Sequence, residues 1–131
     1  MVNDRECYRV GDLILDVRAM RVSRNGVAIP LPPLSFELLV NLVRRAPDVV
    51  SRQDLLEATW KDIVVGPETL KQRVKLLRES LDDNPHNPRY IATIRGRGYQ
   101  MIVDPVSLAG LSLRGRVEDC FRRLLTRATS T

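Results

Sequence analysis

The chain has 131 residues, enough for one domain with a single hydrophobic core and a short appendage. Lysine and arginine number 21 against 16 aspartates and glutamates, the net charge is +5, and 44% of the residues are apolar. This composition excludes a disordered chain as the default and favours a polyanionic partner, nucleic acid before an anionic membrane surface. On charge alone, an ordinary basic protein is an equal alternative.

The cysteines and the apolar runs exclude several further classes. Cys7 and Cys120 stand near opposite ends of the chain, with no CxxC pair and no neighbouring histidine. We therefore expect a reducing cytoplasm, with no metal and no cofactor. No apolar run approaches the ~20 residues that span a bilayer, and residues 1–10 lack the apolar stretch of a signal peptide. We expect no membrane segment in this chain.

The first third of the chain is typical of short β-strands. Asn25-Gly26 between two β-prone runs predicts a hairpin with a type I′ turn, because both residues tolerate positive φ. Pro30, Pro32 and Pro33 then limit further pairing. The predicted strands are residues 8–10, 13–17, 20–24 and 27–31.

Three helices and a second hairpin follow. We expect Ser35 to cap the first helix and Ser51 to cap the second, which extends to Trp60. The third extends from Pro67 to Leu81 and buries one stripe of apolar side chains at spacings of four, three and four. The members of this stripe are Leu70, Val74, Leu77 and Leu81. Strands at residues 90–94 and 99–103 flank the tip Arg95-Gly96-Arg97-Gly98.

This order of elements predicts a compact α+β domain over residues 1–104. Residues 105–131 are predicted to be a linker and a short amphipathic helix at 115–127. Three roles are equally favoured for that helix. It is a homodimerisation element, the start of a further domain, or a helix packed on its own core.

The third helix carries a face of one charge sign opposite its apolar stripe. Residues 69–78 contain four cations and no acid. Such a face repels itself, and the closely spaced phosphates of DNA would relieve that repulsion. Arginine, lysine and glutamine also hydrogen-bond to base edges, although a solvated basic face is an equal alternative for the helix alone. The face comprises Lys71, Gln72, Arg73, Lys75 and Arg78.

The neighbours of this helix favour the nucleic-acid interpretation. Residues 51–60 and 67–81 resemble a helix-turn-helix pair, with a link at 61–66 that is longer than the usual turn. The Arg95–Gly98 tip adds a basic element suited to a minor groove or to phosphates. Together these features predict binding to double-stranded DNA.

Residues 8–103 resemble the OmpR/PhoB-type winged-helix DNA-binding domain. The resemblance rests on residues 50–56, Trp60, residues 69–81 and the long run from Pro88 to Tyr99. The stretches at 60–65 and 90–93 are similar to the CadC/ToxR-like branch. The resemblance implies a winged helix-turn-helix with an N-terminal antiparallel sheet, a three-helix core and a C-terminal β-hairpin wing, in a bacterial regulator of transcription.

The resemblance also implies roles for individual positions. The third helix would read the major groove through Thr69, Gln72, Arg73, Lys75 and Arg78, and the wing would use Thr93 and Arg95 at the minor groove or backbone. Lys71 and Arg97 join this set as further cations. The link at 61–66 matches a loop that meets RNA polymerase in some members. Glu68 and Leu76 stand where members often carry arginine, so a base preference does not transfer.

Two other functions compete with DNA binding. A winged helix can serve as a protein–protein interaction module, an alternative motivated here by Leu76 and the amphipathic tail. An enzyme is not expected, because His86 is the single histidine and no nucleophile–histidine–acid set or phosphate-binding loop occurs.

Overall fold

The structure, a computed structural model, describes residues 6–61 and 63–108. The chain divides into two units, one made of residues up to Pro30 together with those from Pro105, and the other made of Leu31–Asp104. The helices are α1 (Pro33–Arg45), α2 (Arg52–Thr59) and α3 (Pro67–Leu81). The strands are β1 (Cys7–Val10), β2 (Leu13–Asp16), β3 (Arg21–Arg24), β4 (Val27–Ala28), β5 (Val49–Ser51), β6 (Ile91–Ile94), β7 (Gly98–Met101) and β8 (Val106–Ser107).

The first unit is an antiparallel sheet in the order β4-β3-β2-β1-β8. Every residue of β2 is buried. Asn25 and Gly26 have φ values of 52° and 82°, so both adopt the positive φ that the hairpin prediction requires. The predicted N-terminal antiparallel sheet is therefore confirmed.

The strand β8 corrects the predicted linker. It pairs with β1 through Tyr8↔Ser107 and Arg9↔Val106, and the Leu108 backbone N–H donates to Cys7 O over 2.8 Å. Leu108 is also buried. The linker prediction is wrong for Val106–Leu108, because these residues complete a sheet edge. The predicted helix at 115–127 and Cys120 lie outside the described residues.

The helix α1 begins three residues earlier than the sequence predicted. Its N-cap is Pro32 rather than Ser35, and Pro33 occupies the first turn, where a proline ring already has helical φ and its missing N–H is not needed. Phe36 N–H donates to Pro32 O over 3.0 Å, which closes that turn. Ser35 therefore lies inside the helix and is fully buried.

The second and third helices follow the predicted pattern. Ser51 caps α2 through its Oγ, which accepts from Asp54 N–H over 3.0 Å. The four residues of the apolar stripe of α3 are each at most 1% exposed. The helix α1 packs against both α2 and α3, which makes a three-helix core.

A small antiparallel sheet in the order β5-β7-β6 completes the second unit. The strands β6 and β7 form the predicted hairpin, whereas β5 was not predicted. Its residues precede the Ser51 cap and pair with β7, through Val50↔Tyr99 among others. The wing is therefore tied to the start of α2.

Candidate nucleic-acid interface

The exposed face of α3 carries most of the predicted contact residues. Arg73 is half-buried, and its Nη1 lies 3.4 Å from Ser35 Oγ, a long hydrogen bond to α1. The remaining side chains project into solvent because the apolar stripe fixes which side of the helix faces the core. The exposed members are Thr69, Lys71, Gln72 and Lys75.

Arg78 corrects the predicted face. It is only 8% exposed, and its Nη2 donates to Ile91 O and to Thr93 Oγ1, each over 2.9 Å. Its Nε is buried and has no hydrogen-bond partner among the described residues. Arg78 follows Val74 by four positions, so it lies at the edge of the buried stripe. The expectation that Arg78 lies on the exposed basic face is wrong.

The wing presents its two arginines at a tight turn. Arg95, Gly96 and Arg97 are all exposed, and Arg97 N–H donates to Ile94 O over 2.9 Å. Gly96 has φ of +75°, which a glycine adopts without strain. Thr93 is exposed at the base of the turn.

A groove of about 480 Å³ lies between α3 and the wing. Lys71 and Lys75 line it from the helix, and Thr93 lines it from the wing. Three carboxylate side chains also border it, so the groove has both charge signs. The acidic lining residues are Glu68, Glu79 and Asp83.

Asp83 is a residue that the sequence analysis missed. It is 7% exposed, and its carboxylate accepts from Arg89 N–H at Oδ1 over 2.6 Å and from Ile91 N–H at Oδ2 over 3.0 Å. No signal in the sequence marks Asp83, because its burial and the φ of 58° at the preceding Asp82 are set by the fold. Asp83 organises the connection from α3 to the wing.

The loop between α2 and α3 exposes apolar side chains. Ile63 is 66% exposed and Val64 is fully exposed. Large apolar side chains that lie next to each other in solvent, rather than packed in the core, are candidates for contact with another molecule. This loop was predicted, by resemblance, to meet RNA polymerase.

In residues 6–61 and 63–108, no group of three or more histidine, cysteine or acidic side chains could hold a metal ion. Over the same residues, no helix has both the length and the apolar character needed to cross a membrane.

The sequence profile of the family described as "Transcriptional regulatory protein, C terminal" matches residues 26–101. This chain belongs to that family. The match includes α1, α2, α3 and the wing strands β6 and β7, and it confirms the OmpR/PhoB-type resemblance. The family is one of transcription regulators rather than a class of enzymes.

Individual members agree with this assignment. The transcriptional activator CadC of Escherichia coli is 36% identical over 96 residues, which are 72% of this chain and 19% of CadC. The DNA-binding response regulator MtrA of Mycolicibacterium smegmatis is 38% identical over 72% of this chain and 42% of MtrA. This chain therefore spans less than half the length of these family members.

Solved structures of family members have the same fold. The DNA-binding domain of E. coli CadC superimposes with a TM-score of 0.70 and 32% identity, over 80% of this chain and 99% of that domain. The DNA-binding domain of Klebsiella pneumoniae RstA, solved in complex with the RstA box, gives a TM-score of 0.66 and 25% identity, over 72% and 95%. The winged-helix prediction is thus confirmed.

Proposed function

We propose that this chain binds double-stranded DNA sequence-specifically in bacterial transcription regulation. The helix α3 would enter the major groove, and the wing at residues 94–99 would meet the minor groove or the backbone. The observation that carries the proposal is the groove between α3 and the wing within Leu31–Asp104, which Lys71 and Lys75 line from the helix and Thr93 lines from the wing. The exposed wing arginines Arg95 and Arg97 follow Thr93 along the chain.

Each side chain has a distinct use on DNA. Lys71 and Lys75 are compact charges suited to phosphate oxygens, and Gln72 can pair with adenine N6 and N7. The Thr93 oxygen already accepts from Arg78, so its own hydroxyl proton is available to a phosphate. The proposed contact set is Thr69, Lys71, Gln72, Arg73, Lys75, Thr93, Arg95 and Arg97, without Arg78.

The relatives support this proposal because their names state that they bind DNA. MtrA is named a DNA-binding response regulator, and the CadC structure is described as a DNA-binding domain. The RstA domain was solved with its DNA box. The proposal places the chain in the bacterial cytoplasm, where the chromosome lies. Its limits as a DNA-binding domain would extend from the predicted residue 104 to Leu108, since β8 belongs to the sheet.

Selection of bound genomic fragments followed by a salt titration tests the proposal. Five cations remain once Arg78 is removed, namely Lys71, Arg73, Lys75, Arg95 and Arg97. If each neutralises one phosphate, log K against log[salt] has a slope of about −4.5. An affinity that does not depend on salt, or no selected fragment, contradicts the proposal. A stable protein complex without DNA binding would instead support the interaction-module alternative.

We also propose that the loop at residues 61–66 contacts RNA polymerase when the chain is on DNA. The full exposure of Val64 and the 66% exposure of Ile63 favour a protein partner for this loop. Val64→Ser should leave DNA affinity unchanged and reduce stimulated transcription in vitro by half or more. Met20→Ser, at another exposed apolar side chain, is the control and should change neither. A Val64→Ser chain with full stimulation contradicts the proposal.

Homodimerisation through the tail helix stays a prediction, because that helix lies outside the described residues. Light scattering on the full chain, with and without DNA, measures the mass directly. A dimer that is lost when residues 109–131 are removed would support it.

A further inference from the structure

Ile91, the first residue of β6, has both of its backbone polar groups bonded to charged side chains from the end of α3. Its carbonyl accepts from Arg78 Nη2 over 2.9 Å, and its N–H donates to Asp83 Oδ2 over 3.0 Å. The strand β6 is the edge of its sheet, so some of its backbone groups point away from β7 and need other partners. Here two side chains of opposite charge supply them.

Arg78 holds β6 at two points rather than one. The two hydrogens of Nη2 go to Ile91 O and to Thr93 Oγ1, two residues further along the strand. One bond would allow the strand to pivot, whereas two bonds fix its direction relative to α3. Arg78 is only 8% exposed, and its bond to Ile91 O is buried, where a hydrogen bond is stronger than in water. Its bond to Thr93 is part-buried.

Asp83 secures the same strand from the connecting loop. Its carboxylate accepts from Arg89 N–H as well as from Ile91 N–H, and its own N–H donates to Arg78 O over 2.8 Å. The loop therefore closes back onto the last turn of α3. Removing either charged side chain would leave buried backbone groups without partners.

The wing tip begins directly after this attachment. Arg95 follows Thr93 by two residues, and Arg97 follows by four. Any change in the direction of β6 is therefore carried to both arginines. We propose that Arg78 is a positioning residue that, together with Asp83, sets where Arg95 and Arg97 meet DNA. The inference rests on the proposed function, and Arg78 acts through the wing without touching DNA.

A double-mutant cycle on a selected genomic fragment separates positioning from direct contact. Arg78→Met should weaken binding about tenfold in the native chain. In a chain that already carries Arg95→Ala and Arg97→Ala, it should weaken binding by about threefold or less, because both arginine contacts are already lost and only the Thr93 contact of the wing remains to be displaced. An equal loss in both backgrounds means a direct contact and overturns the inference.

Lys75→Met is the matched control, since it removes one cation from the exposed face of the same helix. Its loss of affinity should be the same in both backgrounds. Thermal unfolding of each variant shows whether it folds. If Arg78→Met does not unfold cooperatively, the cycle is run with Arg78→Lys, which keeps a charge and a donor. The same non-additivity is then expected, and additivity again overturns the inference.

Amide hydrogen exchange of the chain without DNA tests the attachment itself. Arg78→Met should speed exchange of the Ile91 amide about tenfold or more, because the bond from that amide to Asp83 needs the strand that Arg78 holds at Ile91 O. It should leave the amides of α1 unchanged. An unchanged Ile91 amide overturns the inference. If the native chain shows no salt-dependent DNA binding, the proposed function fails, while this measurement still decides whether Arg78 holds the strand.

Discussion

Gly98 lies so close to the backbone of Val50 that no side chain fits at that position. A Cβ built on Gly98 would overlap Val50 O and lie 2.8 Å from Val50 C. The φ of Gly98 is +153°, a conformation that other residues rarely adopt. The close pairing of β5 with β7, and hence the link between the wing and the Ser51 cap of α2, depends on the absence of a side chain at residue 98.

Gly98→Ala is therefore expected to lower the free energy of unfolding by about 3 kcal/mol, through backbone strain and overlap with β5. Gly96→Ala is the matched control. Gly96 also has positive φ, but no atom lies within 4 Å of its would-be Cβ, so we expect a loss of about 1 kcal/mol. Urea unfolding of both variants gives the comparison. Equal losses would mean that the contact with Val50 is unimportant.

Asp83→Asn is expected to destabilise the chain by about 1–3 kcal/mol. The two oxygens of Asp83 each accept a backbone N–H, and an amide nitrogen would place a donor against one of those donors. Asp82→Asn is the control, because Asp82 is exposed and its αL conformation suits asparagine. Its effect should stay within about 0.5 kcal/mol. Similar unfolding free energies for the two variants would contradict the role of Asp83.

The strand β8 should contribute to stability even though it is two residues long. A chain ending at Leu108 is expected to be about 2 kcal/mol more stable than one ending at Asp104, since the shorter chain loses the buried Leu108 side chain and its bond to Cys7 O. Thermal unfolding of the two truncated chains measures the difference. Identical midpoints would restore the predicted domain limit at residue 104.

The sequence predicted those features that local residues determine. Pro67 in the first turn and the stripe from Leu70 to Leu81 gave the bounds of α3, because capping and periodicity act within a few residues. Asn25-Gly26 gave the first hairpin for the same reason. The candidate face of α3 followed from that stripe, apart from Arg78.

The features that were missed depend on residues far along the chain. In the sequence, Arg78 resembles a surface cation, because its acceptors on β6 are 13 and 15 residues further along the chain. These acceptors are Ile91 O and Thr93 Oγ1. The strands β5 and β8 are too short to show alternation, and they are defined by partners in β7 and β1. Ser35 was expected to cap α1, but Pro33 starts that helix earlier.

Gln72 and Lys75 should differ in how they affect DNA binding. Gln72→Ala is expected to lower affinity for the selected fragment about tenfold and leave the salt slope unchanged, because an amide reads bases and releases no counterion. Lys75→Ala should weaken binding to all sequences alike and reduce the magnitude of the slope by about 0.9. Both side chains are exposed on α3, so neither change should affect folding. A changed slope for Gln72→Ala would contradict the assignment.

Glu68 is the one acidic residue in the first turn of α3, and its exposed carboxylate would lie close to phosphates. Glu68→Gln is expected to raise affinity about twofold or more for both the selected fragment and an unrelated duplex, because a repulsion is removed. Glu57→Gln, at an exposed position on α2, controls for the change in net charge and should have a smaller effect. A Glu68→Gln chain with lower affinity for the selected fragment alone would contradict this expectation. It would indicate that Glu68 accepts a hydrogen bond from cytosine N4 and determines sequence preference.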